Sequence, residues 1–253
     1  MPLRVLSYNV GMNSRNRFSE ITAAIHEQKP DLAALLDVED MSLAGEFGRE
    51  LGMEARHGAG RHGWGIAVLS KLPIDGFQNH SLEPLFHTLV ETEVSWNGRR
   101  LNLFATHLRG IGPDGRTGFE ARRRAQETVA MLEVARPRGD QASLLIGDFN
   151  ASRTGERGGP PPPGTEWWSR NYHRVPYARV PIRLILEAGF LDCFRHLHPQ
   201  DLGYTIRTDH PWSRIDFVFA SPTLTPCLRA CEVATTGAAA SASHHFPIWA
   251  EFG

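Results

Sequence analysis

Apolar residues recur along the chain with two periods, and the points where one period gives way to the other predict most of its elements. Leu3 to Asn9 is a short strand-like run ending in Asn-Val-Gly. From Phe18 to Gln28 the apolar positions Phe18, Ile21, Ala24 and Ile25 share one helical face, and Pro30 stops the run. Leu32 to Val38 is almost wholly apolar, as in a strand buried on both faces. Leu43 to Leu51 reads as a helix closed by Gly52, and Gly65 to Leu69 as a further strand. Leu85 to Trp96 and Arg99 to Thr106 form a hairpin pattern around Asn97-Gly98, the pair that suits a tight two-residue turn. Glu120 to Arg136 has helical spacing, with Ala125, Val129, Leu132 and Val134 facing inward. Ser143 to Ile146 is a buried strand leading into Gly147-Asp148-Phe149-Asn150. Pro181 to Ala188 is a short helix; Ile215 to Ala220, Leu228 to Ala234 and Phe246 to Phe252 are strands.

Helices and strands alternate, yet the hairpin demands antiparallel pairing, so the pattern predicts a mixed α/β architecture without an internal boundary. Residues 151–181 break the rhythm. They carry Gly158-Gly159, four prolines at 160–163 and Trp167-Trp168. A loop of that length either packs its tryptophans locally or faces substrate. The expectation is one domain over 1–253 with this Pro/Gly-rich excursion.

Composition narrows the class. Hydrophobic residues make up 41% of the 253 and charged residues 22%, enough apolar surface for a core and too little charge for disorder. Lys plus Arg number 27 against 28 Asp plus Glu, a formal charge of -1, which weighs against a chain that grips duplex DNA chiefly through phosphates. Three cysteines, Cys193, Cys227 and Cys231, supply neither a disulfide framework nor four zinc ligands, and are expected as reduced thiols. No stretch reaches the ~20 apolar residues of a membrane span, and no secretory leader pattern precedes the first strand. A soluble, cytoplasmic protein without integral membrane association is expected.

Candidate chemistry sits where apolar strands end. Asn9, Asp37 with Glu39, His107, Asp148 with Asn150, Asp216, and His244 with His245 all stand at such ends. One polar strand end means little; a set of Asp, Asn and His at separate ends suggests a shared edge where strands converge. These types suit phosphoester hydrolysis, which needs a hard cation, a base for water, and a group to hold phosphoryl oxygens.

The ordered set of motifs resembles one family. Ser7-Tyr8-Asn9-Val10, Pro30 to Val38, Gly65 to Ser70, Thr106-His107-Leu108, Gly147-Asp148-Phe149-Asn150, Arg214-Ile215-Asp216 and Ser243-His244-His245-Phe246-Pro247 follow the order of the endonuclease/exonuclease/phosphatase superfamily. The resemblance spans residues 3 to 252. It implies a four-layer α/β sandwich of two packed, mainly antiparallel sheets flanked by helices, and a Mg²⁺- or Mn²⁺-dependent hydrolase. By the same resemblance Asn9 arranges the metal site and Asp37 stands where the family has its metal-binding Glu. His107 contacts the scissile phosphate, Asp148 orients or deprotonates the attacking water, and Asn150 holds water and phosphate. Asp216 fixes His245 and favours its cationic form, and His245 acts on the phosphate.

Two departures bear on the metal. The family's Gln-Glu is Leu36-Asp37 here, one methylene shorter, and strand alternation puts Asp37 and Glu39 on the same side, so either carboxylate is a candidate ligand. Ser-His-His replaces Ser-Asp-His; His244 is either a neutral ligand favouring a softer ion or a core residue. For substrate, a nucleic acid needs basic and aromatic contacts, for which Arg15, Arg17, Arg122 to Arg124, Arg170, Arg174, Trp167 and Trp168 are candidates, with Arg122, Trp167 and Trp168 foremost. The arginine run reads equally as a solvated helix face. The alternatives are a small-molecule or lipid-headgroup phosphoester, which needs only a compact pocket, and a catalytically weak binding module that keeps the fold.

Overall fold

The computed structural model describes residues 1–110, 117–137, 140–160, 163 and 178–253. Strands β1 (Leu3–Asn9), β2 (Leu32–Val38), β3 (Glu54–Gly58) and β4 (Gly65–Ser70) form one sheet with two late strands, β11 (Leu228–Val233) and β12 (Ile248–Phe252). The second sheet holds β5 (Ile74–His80), β6 (Leu89–Trp96), β7 (Arg99–His107), β8 (Ala142–Asp148), β9 (Leu191–Asp192) and β10 (Asp216–Ala220). Strand order is β11-β12-β1-β2-β4-β3 in the first and β5-β6-β7-β8-β10-β9 in the second. The pairs β1–β2 and β7–β8 are parallel and the others antiparallel, so both sheets are mixed.

Side chains alternate across each central strand, and this period of two sorts the core into three layers. Leu3 and Val5 of β1, Leu32, Ala34 and Leu36 of β2, Leu101, Leu103 and Ala105 of β7, and Leu144 and Ile146 of β8 meet between the sheets. Their neighbours Leu6, Tyr8, Ala33 and Leu35 face the other way, onto α1 (Phe18–Gln28) and α2 (Met41–Leu51). On the far side Phe104, Leu145, Phe217 and Phe219 face α3 (Thr117–Ala135) and α4 (Val180–Glu187). The result is helix, sheet, sheet, helix. A short α5 (Cys193–Leu197) tucks Cys193 and Phe194 into the central layer. The three cysteines are free thiols. Among the described residues no helix is long and apolar enough to cross a membrane.

Local chemistry accounts for the boundaries. Asp40 accepts the Leu43 N–H at 2.8 Å and so caps α2. Lys29 closes α1 in a left-handed conformation just before Pro30. Asn97 (φ 50°) and Gly98 (φ 73°) both take positive φ, as the β6–β7 turn requires.

The structure departs from the sequence pattern in four places. Strands β3, β5 and β9 were not foreseen; all three are sheet edges, and β3 and β5 lack a consistent buried face to generate alternation. Strand β6 begins only at Leu89, and β12 at Ile248. Val129 is 51% exposed, whereas Met131 and Ala135 are buried, so the apolar stripe of α3 runs beside the expected one. Arg124, expected on a solvated face, is wholly buried, and its Nη1 donates to the Arg109 carbonyl at 3.0 Å.

A buried ionic cluster sets the start of β10. Arg214 grips Asp192 with both terminal nitrogens, at 3.0 and 2.6 Å, and also binds Glu156, while its guanidinium lies 4.2 Å over the Phe217 ring. Burial alone would raise the Asp192 pKa; Arg214, the Arg195 N–H and Arg153 outweigh it and hold the carboxyl below its ordinary value. That depression stabilises the fold above the unfolded-state pKa, near 3.9, and the contribution is lost as pH falls through the lower folded value. Asp192→Asn keeps a residue able to cap α5 but leaves Arg214 half-paired, and is expected to cost about 3–5 kcal/mol at neutral pH. Urea titrations of both proteins across pH should show the difference narrowing below about pH 4.

Gly147 has a steric role. Its φ is +142°, and a Cβ there would lie 1.8 Å from the Thr106 carbonyl oxygen. Gly147→Ala is expected to destabilise the fold by at least about 3 kcal/mol, read as a fall in the urea midpoint.

Candidate active site

The same alternation that builds the central layer delivers polar groups to one end of it. Two residues after Ala105 and Ile146, and two before Val218 on the antiparallel β10, His107, Asp148 and Asp216 stand on the same strand faces. Register sets them side by side: His107 stands opposite Asp148 across the parallel β7–β8 pair, and Asp148 opposite Asp216 across the antiparallel β8–β10 pair. Asn9, at the end of β1, enters from the other sheet. Its side-chain N–H donates to Asp148 Oδ2 at 3.0 Å, and its Oδ1 accepts the Gly11 N–H at 2.9 Å.

Asp148 is the meeting point. It is 1% exposed. Its Oδ2 lies 3.4 Å from His107 Nε2 and 3.8 Å from His245 Nε2, and its Oδ1 accepts the Asn150 backbone N–H at 2.8 Å. The Asn150 side-chain amide donates to the Leu108 carbonyl at 2.9 Å, with its nitrogen 3.2 Å from His107 Nε2. His245 is fixed from behind by Asp216 Oδ2, 2.8 Å from Nδ1.

Asp37 arrives by a different route. Strand β2 slips against β4 between Leu36 and Val38, and Asp37 sits at the irregularity with φ 65°. The carboxylate thereby meets His107 Nδ1 at 2.9 Å. The bulge breaks the strict alternation that would have put Asp37 and Glu39 on one side. Glu39 is held elsewhere: it accepts the Ser14 hydroxyl at 2.5 Å and the Arg15 N–H at 3.4 Å.

The electrostatics follow from burying so many charges together. Burial opposes the charged form of both Asp37 and His107, but their mutual attraction wins: Asp37 is lowered to about 2 and His107 raised to about 9. Asp148 is raised to about 6 by burial and by the nearby Asp216. Asp216 is raised to about 7 by burial, and His245 is lowered by burial against the pull of Asp148. The contact between Asp216 and His245 is in place, but desolvation disfavours the cationic His245 that the sequence alone suggests.

The other sequence candidates separate cleanly. His244 is exposed, its ring edge-on to His245 and close to Gly11, where a Cβ would lie 2.9 Å from His244 Cε1. Gly11, at φ +69°, is thus required on both conformational and steric grounds. Arg122 is exposed on α3. Arg15 pairs with Glu46 and Asp40, and Arg17 donates to the Val10, Gly11, Met12 and Ala242 carbonyls, bracing the loop after β1. Trp167, Trp168, Arg170 and Arg174 lie outside the described residues.

One residue at the site had no sequence signal. His87 is 7% exposed and stacks on His107 with ring centroids 4.2 Å apart and planes 4° from parallel. Burial and the neighbouring His107 lower its pKa to about 3. It precedes β6, where neither periodicity nor a motif marks it. Asp37, His87 and His107 form one group with a ligand atom from each within 4.8 Å of the others, and Asp148, Asp216 and His245 form a second.

Solved structures share this arrangement of sheets. An AP endonuclease from Archaeoglobus fulgidus superposes with a TM-score of 0.77 at 20% identity, over 99% of each chain. The 3' phosphatase NExo from Neisseria, bound to a product DNA hairpin, gives 0.74 at 18% identity, again over 99% of each chain. D. rerio TDP2 with a single-strand DNA product gives 0.69 at 15%, over 100% of this chain and 99% of the other. At such identities the likeness is one of fold. No curated protein matches the chain by sequence. The model of the Endonuclease/Exonuclease/phosphatase family matches residues 6–237, and with its motifs standing at one end of a two-sheet core, the chain belongs to that family.

Proposed function

We propose that this chain is a divalent-metal-dependent phosphodiesterase acting on nucleic acid. The observation that carries the reading is the buried Asp148 carboxylate at the seam of the two sheets, ringed by Asn9, His107, Asn150 and His245. Family membership supports phosphoester hydrolysis. The DNA-bound neighbours NExo and TDP2 favour a nucleic-acid substrate.

The donor set fits a divalent cation. Asp37, Asp148 and Asp216 are all buried, and Asp216 Oδ1 has no hydrogen-bond partner among the described residues. Carboxylates crowded in this way favour a bound cation over mutual repulsion. Asp37 and Asp148 would hold the ion, with Asn9 keeping Asp148 in place. The bound ion supplies charge neutralisation at the phosphate and at the leaving oxygen.

The side chains divide the remaining work. Asp148, with a pKa near 6, is ionised at neutral pH yet basic enough to take a proton from water. The Asp37-paired His107 stays cationic at neutral pH and attracts a non-bridging phosphoryl oxygen. Asn150, anchored by the Leu108 carbonyl, aligns water and phosphate. Asp216 holds His245 through Nδ1, leaving Nε2 turned toward Asp148 for the leaving group or the phosphate.

The test is a panel of single- and double-stranded DNA, abasic-site DNA, RNA and bis-p-nitrophenyl phosphate, each with Mg²⁺, Mn²⁺ or EDTA. Metal-dependent cleavage of a nucleic acid is expected, reduced about 10²–10⁴-fold in Asp148→Asn and His245→Ala. Cleavage of the small diester alone would replace the nucleic-acid reading with a small-molecule or lipid-headgroup phosphoester, which the formal charge of -1 would suit. Silence across the panel, with no rise in melting temperature at millimolar metal, would leave a binding module.

A further inference from the structure

We infer that a ring shelf beside the catalytic seam, His62 on Phe86, takes the face of an unpaired nucleobase and so favours single-stranded or splayed nucleic acid over closed duplex. The inference rests on the reading above that the substrate is a nucleic acid, and narrows it.

Four rings run in file from the surface to the seam. His62 lies on Phe86 with ring centroids 4.2 Å apart and planes 26° from parallel. Phe86 meets His87 edge-on at 4.9 Å, and His87 stacks on His107 at 4.2 Å. Exposure rises along that file: His87 is buried, Phe86 half-buried and His62 exposed. Its outer end is an aromatic ring open to solvent, and its inner end is the histidine assigned to the phosphoryl oxygen.

The shelf is held in place before any ligand arrives. His62 sits in the turn between β3 and β4, which is so tight that a Cβ on Gly60 would lie 1.8 Å from the Trp64 carbonyl oxygen. The Arg61 N–H donates to the His87 carbonyl at 3.4 Å and ties this turn to the segment before β6. The buried Glu127 carboxylate of α3, which takes no part in the hydrolytic set, accepts the Phe86 N–H at 3.2 Å and the Arg109 N–H at 2.9 Å. The Arg109 guanidinium in turn lies 4.1 Å over the Phe86 ring. A stack fixed in this way gives up little freedom when a further ring joins it.

Chemistry selects the occupant. Arg109 is already paired with Glu120 and Glu127, at 3.4 and 3.5 Å, so this corner offers flat ring faces and no spare charge for a phosphate. Every nucleobase has a π-face, and stacking on an aromatic side chain tolerates any sequence. Within a duplex both faces of a base are covered by its neighbours, so only an unpaired or extruded base can join the stack. Because the ring file begins at His107, that base belongs to the strand whose phosphate His107 holds. The formal charge of -1 agrees, since a chain that gains affinity from stacking depends less on phosphate contacts.

The experiment is fluorescence anisotropy of the full chain in EDTA, which prevents cleavage. The probes are a short labelled single strand, its blunt duplex, and an abasic strand of equal length; the variants are His62→Ala and His62→Phe. His62 is exposed, so neither substitution disturbs the core. The single strand is expected to bind more tightly than the duplex. His62→Ala should weaken it about tenfold and leave the duplex and the abasic strand unchanged, and His62→Phe should restore it. Equal affinity for duplex and single strand, no effect of His62→Ala, or a His62→Phe no better than His62→Ala would overturn the inference. A dimer in sedimentation that His62→Ala abolishes would put a second copy of the chain on the shelf and overturn it too. Single-strand binding through His62 in a chain that cleaves no nucleic acid would keep the shelf and end the nuclease reading. Cleavage of duplex and single strand alike, indifferent to His62→Ala, would do the reverse.

Discussion

Three carboxylates are buried in one seam between two sheets, and everything else at the site answers to that constraint. Taking Asp37, Asp148 and Asp216 out of water is costly unless each finds an opposite charge, a hydrogen bond or a cation. Asp37 takes His107, and the attraction is strong enough to keep both ionised despite burial. Asp148 takes an Asn9 N–H from the facing sheet and the backbone of Asn150. Asp216 takes His245, but its Oδ1 meets no hydrogen-bond partner among the described residues, and burial raises its proton affinity despite the nearby Thr205. The incomplete neutralisation is itself the chemical argument for a divalent ion.

The scaffold keeps these groups near one another by devices that contribute nothing to the chemistry directly. Gly147 allows β7 and β8 to approach where a Cβ would strike the Thr106 carbonyl, and this places Asp148 opposite His107. The bulge in β2 turns Asp37 out of strand register and toward the second sheet. The buried clasp of Arg214 on Asp192 and Glu156 anchors the residue two positions before Asp216. Groups held at rigid strand ends need little reordering when substrate arrives.

Much of the fold was legible because central strands are buried on both faces and advertise themselves as apolar runs. β1, β2 and the β6–β7 hairpin were read in that way, the last from Asn97-Gly98. The edge strands β3 and β5 were not, since half-exposed edges tolerate polar residues at either position. In the candidate site, Asn9, His107, Asp148, Asp216 and His245 were visible as polar ends of apolar runs or as parts of motifs. His87 was invisible: it falls inside the run Leu85 to Trp96 read as a strand, and nothing in its neighbours distinguishes it from any other histidine.

The sequence by itself determined a mixed α/β pattern, a motif order resembling one family (and through that resemblance two packed sheets), and the chemical types at the strand ends, because periodicity and motif order are properties of the chain. Only the tertiary structure separates Asp37, on His107, from Glu39, on Ser14, since a local bulge overrides alternation. It also left His244 exposed but packed against His245, brought His87 onto His107, and made Arg124 a buried brace while Arg122 stayed on the surface. Each of those outcomes depends on which segments, distant along the chain, come to pack against one another, and on the desolvation that results. Neither is written in the spacing of residues along one strand.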